Sequence, residues 1–307
     1  MINTNITIFF TRGITKALIL SSAVLFFSAS CGEEAVEGDS DPATQGGLPG
    51  SSVGASLATV DLSISGSMQA LSLVASPVEV IGVNGSVEGV LELSSAKMIL
   101  DGIRFKTETP DGTVDQADDS DESNSWAGPY LVDLLTNTVT PDISNISIPD
   151  GVYKHLELNV HKVSPEEASS LGLDPSNPLY ENSIYIEGTY TPTGGSAVSF
   201  SMGYDLSERF IIAGPAGMSL SSGANSVIIA FRMMSWFDMS DLETNPDSYA
   251  FSDLALGDIV LDKDSVGNES QLRDVIKKNI EFSADFGKDQ DGDGELSESE
   301  DAEVEEI

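Results

Sequence analysis

The chain has 307 residues, enough for one large domain or two modest ones with a buried core. Its 50 acidic residues against 14 Lys and Arg give a net charge of −36, which excludes the basic face a nucleic-acid binder needs and disfavours attraction to anionic lipid head groups. One cysteine excludes internal disulfides, cysteine-based zinc sites and iron–sulfur clusters, and two histidines leave little for histidine-rich metal chemistry.

Residues 1–30 hold no acid and two bases, Arg12 and Lys16. The apolar run Ala17 to Phe27 follows, then Ser28-Ala29-Ser30 and the only cysteine, Cys31. A charged start, a short apolar middle and small residues at the exit are the parts of a secretory signal; the run is shorter than the ~20 residues a membrane-spanning helix needs. Cys31 has two readings. Cleavage after Ser30 by an ordinary signal peptidase would leave a free thiol. The segment also resembles a bacterial lipoprotein signal, although Ser28 stands three before the cysteine where that family usually has Leu. The resemblance implies that Cys31 becomes an acylated first residue and a membrane anchor. Gly32, in place of Asp, resembles the pattern of sorting to the outer membrane or cell surface.

Residues 31–56 are acidic, then rich in Gly and Ser, and read as a flexible tether. Gly50-Ser51-Ser52-Val53-Gly54 formally matches the nucleophile elbow, but no strand precedes it and no helix follows, so the match carries no chemistry. From 57 to 267 the pattern is mostly period two. TVDLSISGSMQALSL, SVEGVLEL, AKMILDGIRFKTE, GVYKHLELNV, SIYIEGTYT, AVSFSMGYDL and NSVIIAFRMM alternate apolar and polar residues between Gly, Pro, Asn and Asp. The fold class expected is mainly β, an antiparallel β-sandwich. Ser164 to Leu171 is a candidate helix, with Ser164 as cap and Pro165 in the first turn.

Glu108 to Glu122 interrupts the strands with seven acids. Asp111, Asp115, Asp118, Asp119 and Asp121 supply oxygens without recognisable ligand geometry, so a solvated loop is expected over a second cation site. In VYKHLELNVHKV, alternation places Val152, Leu156, Leu158 and Val160 on one face and His155, Glu157, Asn159 and His161 on the other. The histidines are six positions apart, ~20 Å along a strand, too far for one ion. The segments LELSSAKMILDGIRFK, GPYLVDLL and ISIPDGVYKHLELNVHKV resemble a broad group of poorly characterised bacterial lipoproteins. That resemblance implies a β-sandwich behind a lipidated cysteine and offers no catalytic residues.

Residues 268–307 change character. Within 268–286, Leu272, Val275, Ile276 and Ile280 predict an amphipathic helix of about four turns that docks on the sandwich. Asn268 with Gln271 suggests a capping box, and Glu269 with Arg273 a favourable pair. Asp289 to Glu300, DQDGDGELSESE, then matches the twelve-residue EF-hand calcium loop. Asp289, Asp291 and Asp293 stand at positions one, three and five, and Gly294 at six, where the chain turns sharply. Glu295 stands at seven, where the carbonyl is the ligand, and Leu296 at eight as an inward anchor. Ser297 stands at nine and Glu300 at twelve, where both carboxylate oxygens can bind. The metal ligands expected are therefore Asp289, Asp291, Asp293, Glu295, Ser297 and Glu300, and the ion Ca²⁺. Asp301 replaces the apolar residue that usually starts an exiting helix, although Ser297 with Glu300 could cap a short one. The sequence holds no second such loop.

Two functions follow. One is a non-enzymatic, membrane-anchored exported lipoprotein with a calcium-stabilised C-terminal element, acting in envelope structure, adhesion, or binding of an extracellular protein or glycan. The other is a secreted carbohydrate hydrolase with a carboxylate pair, which 50 acids neither exclude nor locate. A docking role for the calcium loop resembles modules that carry paired loops, and this chain has one.

Overall fold

The computed structural model describes residues 56–67, 77–107, 124–254, 257–297 and 300–301. The signal, Cys31, the tether with its glycine–serine match and the acidic loop 108–122 lie outside the described residues. Among the described residues no helix is long and apolar enough to cross a membrane.

The protein is mainly β, with two sheets and few helices. The smaller sheet holds β1 (Leu57–Ser67), β6 (Ile146–Pro149), β11 (Gly223–Arg232) and β13 (Ala284–Lys288) in the order β13-β11-β1-β6. The larger runs through β10 (Glu208–Leu220), β7 (Gly151–Val160), β3 (Val87–Thr107), β8 (Ile184–Pro192), β9 (Val198–Tyr204) and β12 (Ile259–Leu261). The strands β2 (Val78–Ile81) and β4 (Ser125–Asp133) also pair with β3, and β5 (Thr138–Thr140) pairs with β4. Most pairings are antiparallel; β1 with β11 and β12 with β9 are parallel.

Alternation of buried and exposed residues builds much of the core. Val60, Leu62 and Ile64 of β1 are buried while Thr59 and Asp61 are exposed. They meet Val227, Ile229 and Phe231 of β11 and the inward side chains of β3, β7 and β9 in one apolar cluster. Two runs expected as separate strands form the single 21-residue β3. Register shifts at Leu93/Ser95 and Leu100/Gly102 divide it, so that its first half pairs with β8 and its second with β7. In β7, Leu156, Leu158 and Val160 face the core as expected, but Val152 does not. A register shift opposite Lys106/Thr107 turns Tyr153 inward instead and leaves Val152 half exposed.

The short helix α1 (Pro165–Ser170) starts as read, with Ser164 and Glu167 forming a reciprocal capping box. The C-terminal helix α2 (Asn268–Phe282) buries Leu272, Val275, Ile276 and Ile280 in the same core cluster. Its details depart from expectation. Gly267, at φ 63°, is the N-cap, and the Asn268 side chain donates to the Asp253 carbonyl at 3.4 Å instead of capping. Arg273 lies 4.0 Å from Asp274 and does not pair with Glu269. The length of α2 agrees with expectation: the helix ends at Phe282, 15 residues and about four turns from its start. The Ser283 hydroxyl donates to the Ile280 carbonyl at 2.7 Å and accepts from Trp236 Nε1 at 2.7 Å, closing the last turn. The Asn279 amide donates to the carbonyls of Trp236 and Asp238, fastening the helix to the sandwich. The open edge of β11 then takes up residues 284–288 as β13.

Candidate metal centre

A strand, not a helix, therefore delivers the chain to Asp289. β13 pairs antiparallel with β11 from Ala284 opposite Phe231 to Lys288 opposite Val227. The Asp289 N–H continues the ladder to the Ser226 carbonyl at 3.1 Å. The first ligand position is thus fixed to the smaller sheet.

From there the chain curls through side-chain-to-backbone turns. Asp289 Oδ1 accepts from the Gly292 N–H at 2.6 Å and Oδ2 from the Gly294 N–H at 3.3 Å. Asp291 Oδ1 accepts from the Asp293 N–H at 3.1 Å, and Asp293 Oδ1 from the Glu295 N–H at 2.8 Å. Gly292 and Gly294 take φ of 77° and 78°, where a Cβ would be strained. The glycine expected at position six does what that position demands. The result is a group of three carboxylates, Asp289, Asp291 and Asp293, whose candidate ligand oxygens lie within 4.8 Å of one another. This triad could hold a metal ion, and it is the group of that kind among the described residues. Glu295 and Glu300 are not part of it.

Glu300 nevertheless folds back over the loop. It is only 7% exposed. Its Oε1 accepts from the Gln290 and Asp291 N–H groups at 2.6 and 3.4 Å, and its Oε2 from the Ser297 N–H and hydroxyl at 3.0 and 2.7 Å. Burial alone would raise its pKa, but these donors outweigh it and hold the carboxyl below its ordinary range. Ser297 thus serves Glu300, with one arm of the expected cap present, while the Glu295 side chain is exposed. Leu296 packs inward: its Cδ1 would sit 2.6 Å from a Cβ placed on Gly287.

Past the loop the chain returns to the sheet. Asp301 forms an isolated antiparallel bridge with Gly287, and the residues of the exiting helix considered above lie largely outside the described residues. A Cβ on Gly287 would meet the Glu300 carbonyl oxygen at 2.0 Å, so only glycine admits this approach. Arg232 Nη2, at the end of β11, lies 2.9 Å from Asp285 Oδ2 and 2.8 Å from Asp301 Oδ2. Sequence reasoning missed Gly287, Asp301 and Arg232. A glycine two residues before the loop was a usable signal; an arginine 69 positions from its partner was not.

Elsewhere a few carboxylates are paired within the fold. On β7, Glu157 is buried, with Lys106 Nζ at 2.8 Å, Arg209 Nη1 at 3.5 Å and Arg104 Nη1 at 3.9 Å. His161 Nε2 lies 3.3 Å from Glu167 Oε2, and Ser207 Oγ 3.4 Å from its Nδ1. The first contact joins α1 to the end of β7, and the second joins that end to the start of β10. No protein-family model, no curated protein and no solved structure matches the chain.

Proposed function

We propose that this is a calcium-binding, lipid-anchored exported protein with a structural, adhesive or ligand-binding role, in which one Ca²⁺ orders the C-terminal element and neutralises its charge. The observation that carries the reading is the convergence of Asp289, Asp291 and Asp293 around a turn that Gly294 makes possible. Calcium takes six to eight oxygens at 2.3–2.6 Å, and carboxylates on alternate residues of a curled loop can supply the first of them. The Glu295 carbonyl, Ser297 and Glu300 complete the proposed set, with Glu300 exchanging hydrogen bonds for the ion. A lone loop with six acids repels itself when empty and lacks a paired partner. Weak binding suited to extracellular calcium follows, with Kd about 10⁻⁴ to 10⁻³ M. The anchor rests on Cys31 and its lipoprotein-like signal.

Thermal melting of the form lacking residues 1–31 tests the reading. Added CaCl₂ is expected to raise Tm, and Asp289→Ala with Glu300→Gln to remove the rise. A rise that survives the double substitution would place the ion elsewhere. For the anchor, mass spectrometry of the mature N-terminus is expected to find acyl chains on Cys31; an unmodified thiol there rejects it.

A further inference from the structure

We propose that Arg232 is a positioning residue for the cation site: it clamps the chain just beyond the loop to the smaller sheet and so holds Glu300 over the loop. The inference rests on the calcium reading above and adds a residue that makes no contact with the Asp289, Asp291 and Asp293 triad.

Three observations support it. First, the clamp is anchored at its root. The Arg232 N–H donates to the Ser283 carbonyl at 3.0 Å and its carbonyl accepts from the Ser235 hydroxyl at 2.8 Å. Second, one nitrogen, Nη2, serves two buried carboxylates from different segments, Asp285 of β13 and Asp301 beyond the loop. Two like charges brought together in a poorly hydrated place repel strongly unless a cation sits between them. Third, Asp301 follows Glu300 directly, and its bridge to Gly287 presses the Glu300 backbone against β13. One peptide bond therefore links the clamped carboxylate to the ligand expected at position twelve.

The proposal makes a prediction of unusual sign. Arg232 is a cation near a divalent-cation site. If it acted only through its field, neutralising it would tighten calcium binding. If it positions Glu300, neutralising it weakens binding. Calorimetric titration of the full chain in detergent with CaCl₂ separates the two. Arg232→Gln is expected to raise Kd about tenfold at unchanged stoichiometry, and Arg232→Lys, which keeps a charge, to recover part of that loss. A Kd equal to or below that of the unmodified chain overturns the proposal. So does a lowered apo Tm with unchanged Kd, the outcome of merely structural support. Should Arg232→Gln not fold, Gly287→Ala asks the same question without changing charge. Displacing Glu300 from the strand is expected to raise Kd at least tenfold, and an unchanged Kd overturns the proposal. Asp289→Ala keeps the two readings apart. Heat lost in Asp289→Ala but unaffected by Arg232→Gln sinks the clamp alone, whereas no heat from the unmodified chain sinks the calcium reading and the clamp with it.

Discussion

Two carboxylate-bearing regions of this molecule are built on opposite plans. On the face of β3, β7 and β10, a single buried carboxylate, Glu157, gathers Lys106, Arg104 and Arg209. In the C-terminal loop, Asp289, Asp291 and Asp293 converge, and among the described residues none of them forms an ion pair. A chain with 14 bases and 50 acids cannot neutralise every carboxylate from within. Four of its cations sit where desolvation makes an unpaired charge costly, at Glu157 and at the Asp285–Asp301 pair. The loop is left facing water, where a dissolved divalent ion can do what lysine and arginine do elsewhere.

Breaking the internal plan should cost most. Glu157→Ala leaves three cations without their shared partner and is expected to destabilise the protein by about 3–5 kcal/mol in urea denaturation, with calcium affinity unchanged. The loop responds to the solvent instead. At roughly 10 mM CaCl₂ and the proposed Kd, the unmodified protein should gain about 1.4–2.7 kcal/mol in the same measurement, and Asp289→Ala with Glu300→Gln should gain none. If the double variant keeps the gain, the contrast between the two regions fails.

Acid sharpens the comparison further. The folded pKa of Glu300 lies below its ordinary 4.5 despite burial, because the hydrogen bonds from Ser297, Gln290 and Asp291 favour the charged form. Its ionisation therefore stabilises the fold above about pH 4.5, and that contribution fades as pH falls through the folded value. Without calcium, the Tm difference between the unmodified chain and Glu300→Gln should be full above about pH 4.5 and shrink as the pH falls below it. The smallest effect is expected at Glu281 on α2. Burial, only partly offset by Lys277 and reinforced by Glu208, raises its pKa, so its charge opposes folding near neutral pH. Glu281→Gln should raise Tm by about 1 °C at pH 7; a fall would show that the carboxylate is stabilising.

What could be foreseen divides along the same physical line, between local and distant causes. The strands β1, β3, β7, β8, β9 and β11 were legible because alternation is written into neighbouring residues, and α1 because its cap Ser164 and Pro165 adjoin at its start. The aspartate spacing and Gly294 were legible for the same reason. β10 escaped notice because Gly214-Pro215-Ala216-Gly217 reads as a break, where the strand in fact carries a register shift between Ala213 and Met218. β13 went unforeseen because nothing within Ser283 to Lys288 records that the edge of β11 lies open beside it. The inward turn of Tyr153 depends on a register slip against β3, and the Arg232 clamp on a contact between remote segments. Neither leaves a mark in the local pattern.

The central claim is that three aspartates and Glu300 close around one calcium ion. A crystal structure grown with CaCl₂ and read through the anomalous signal of calcium tests it most directly. One peak is expected per chain, with oxygens of Asp289, Asp291, Asp293 and Glu300 about 2.3–2.6 Å away. A peak at another group of carboxylates, or a loop without one at roughly 10 mM calcium, ten times the weakest proposed Kd, would contradict it.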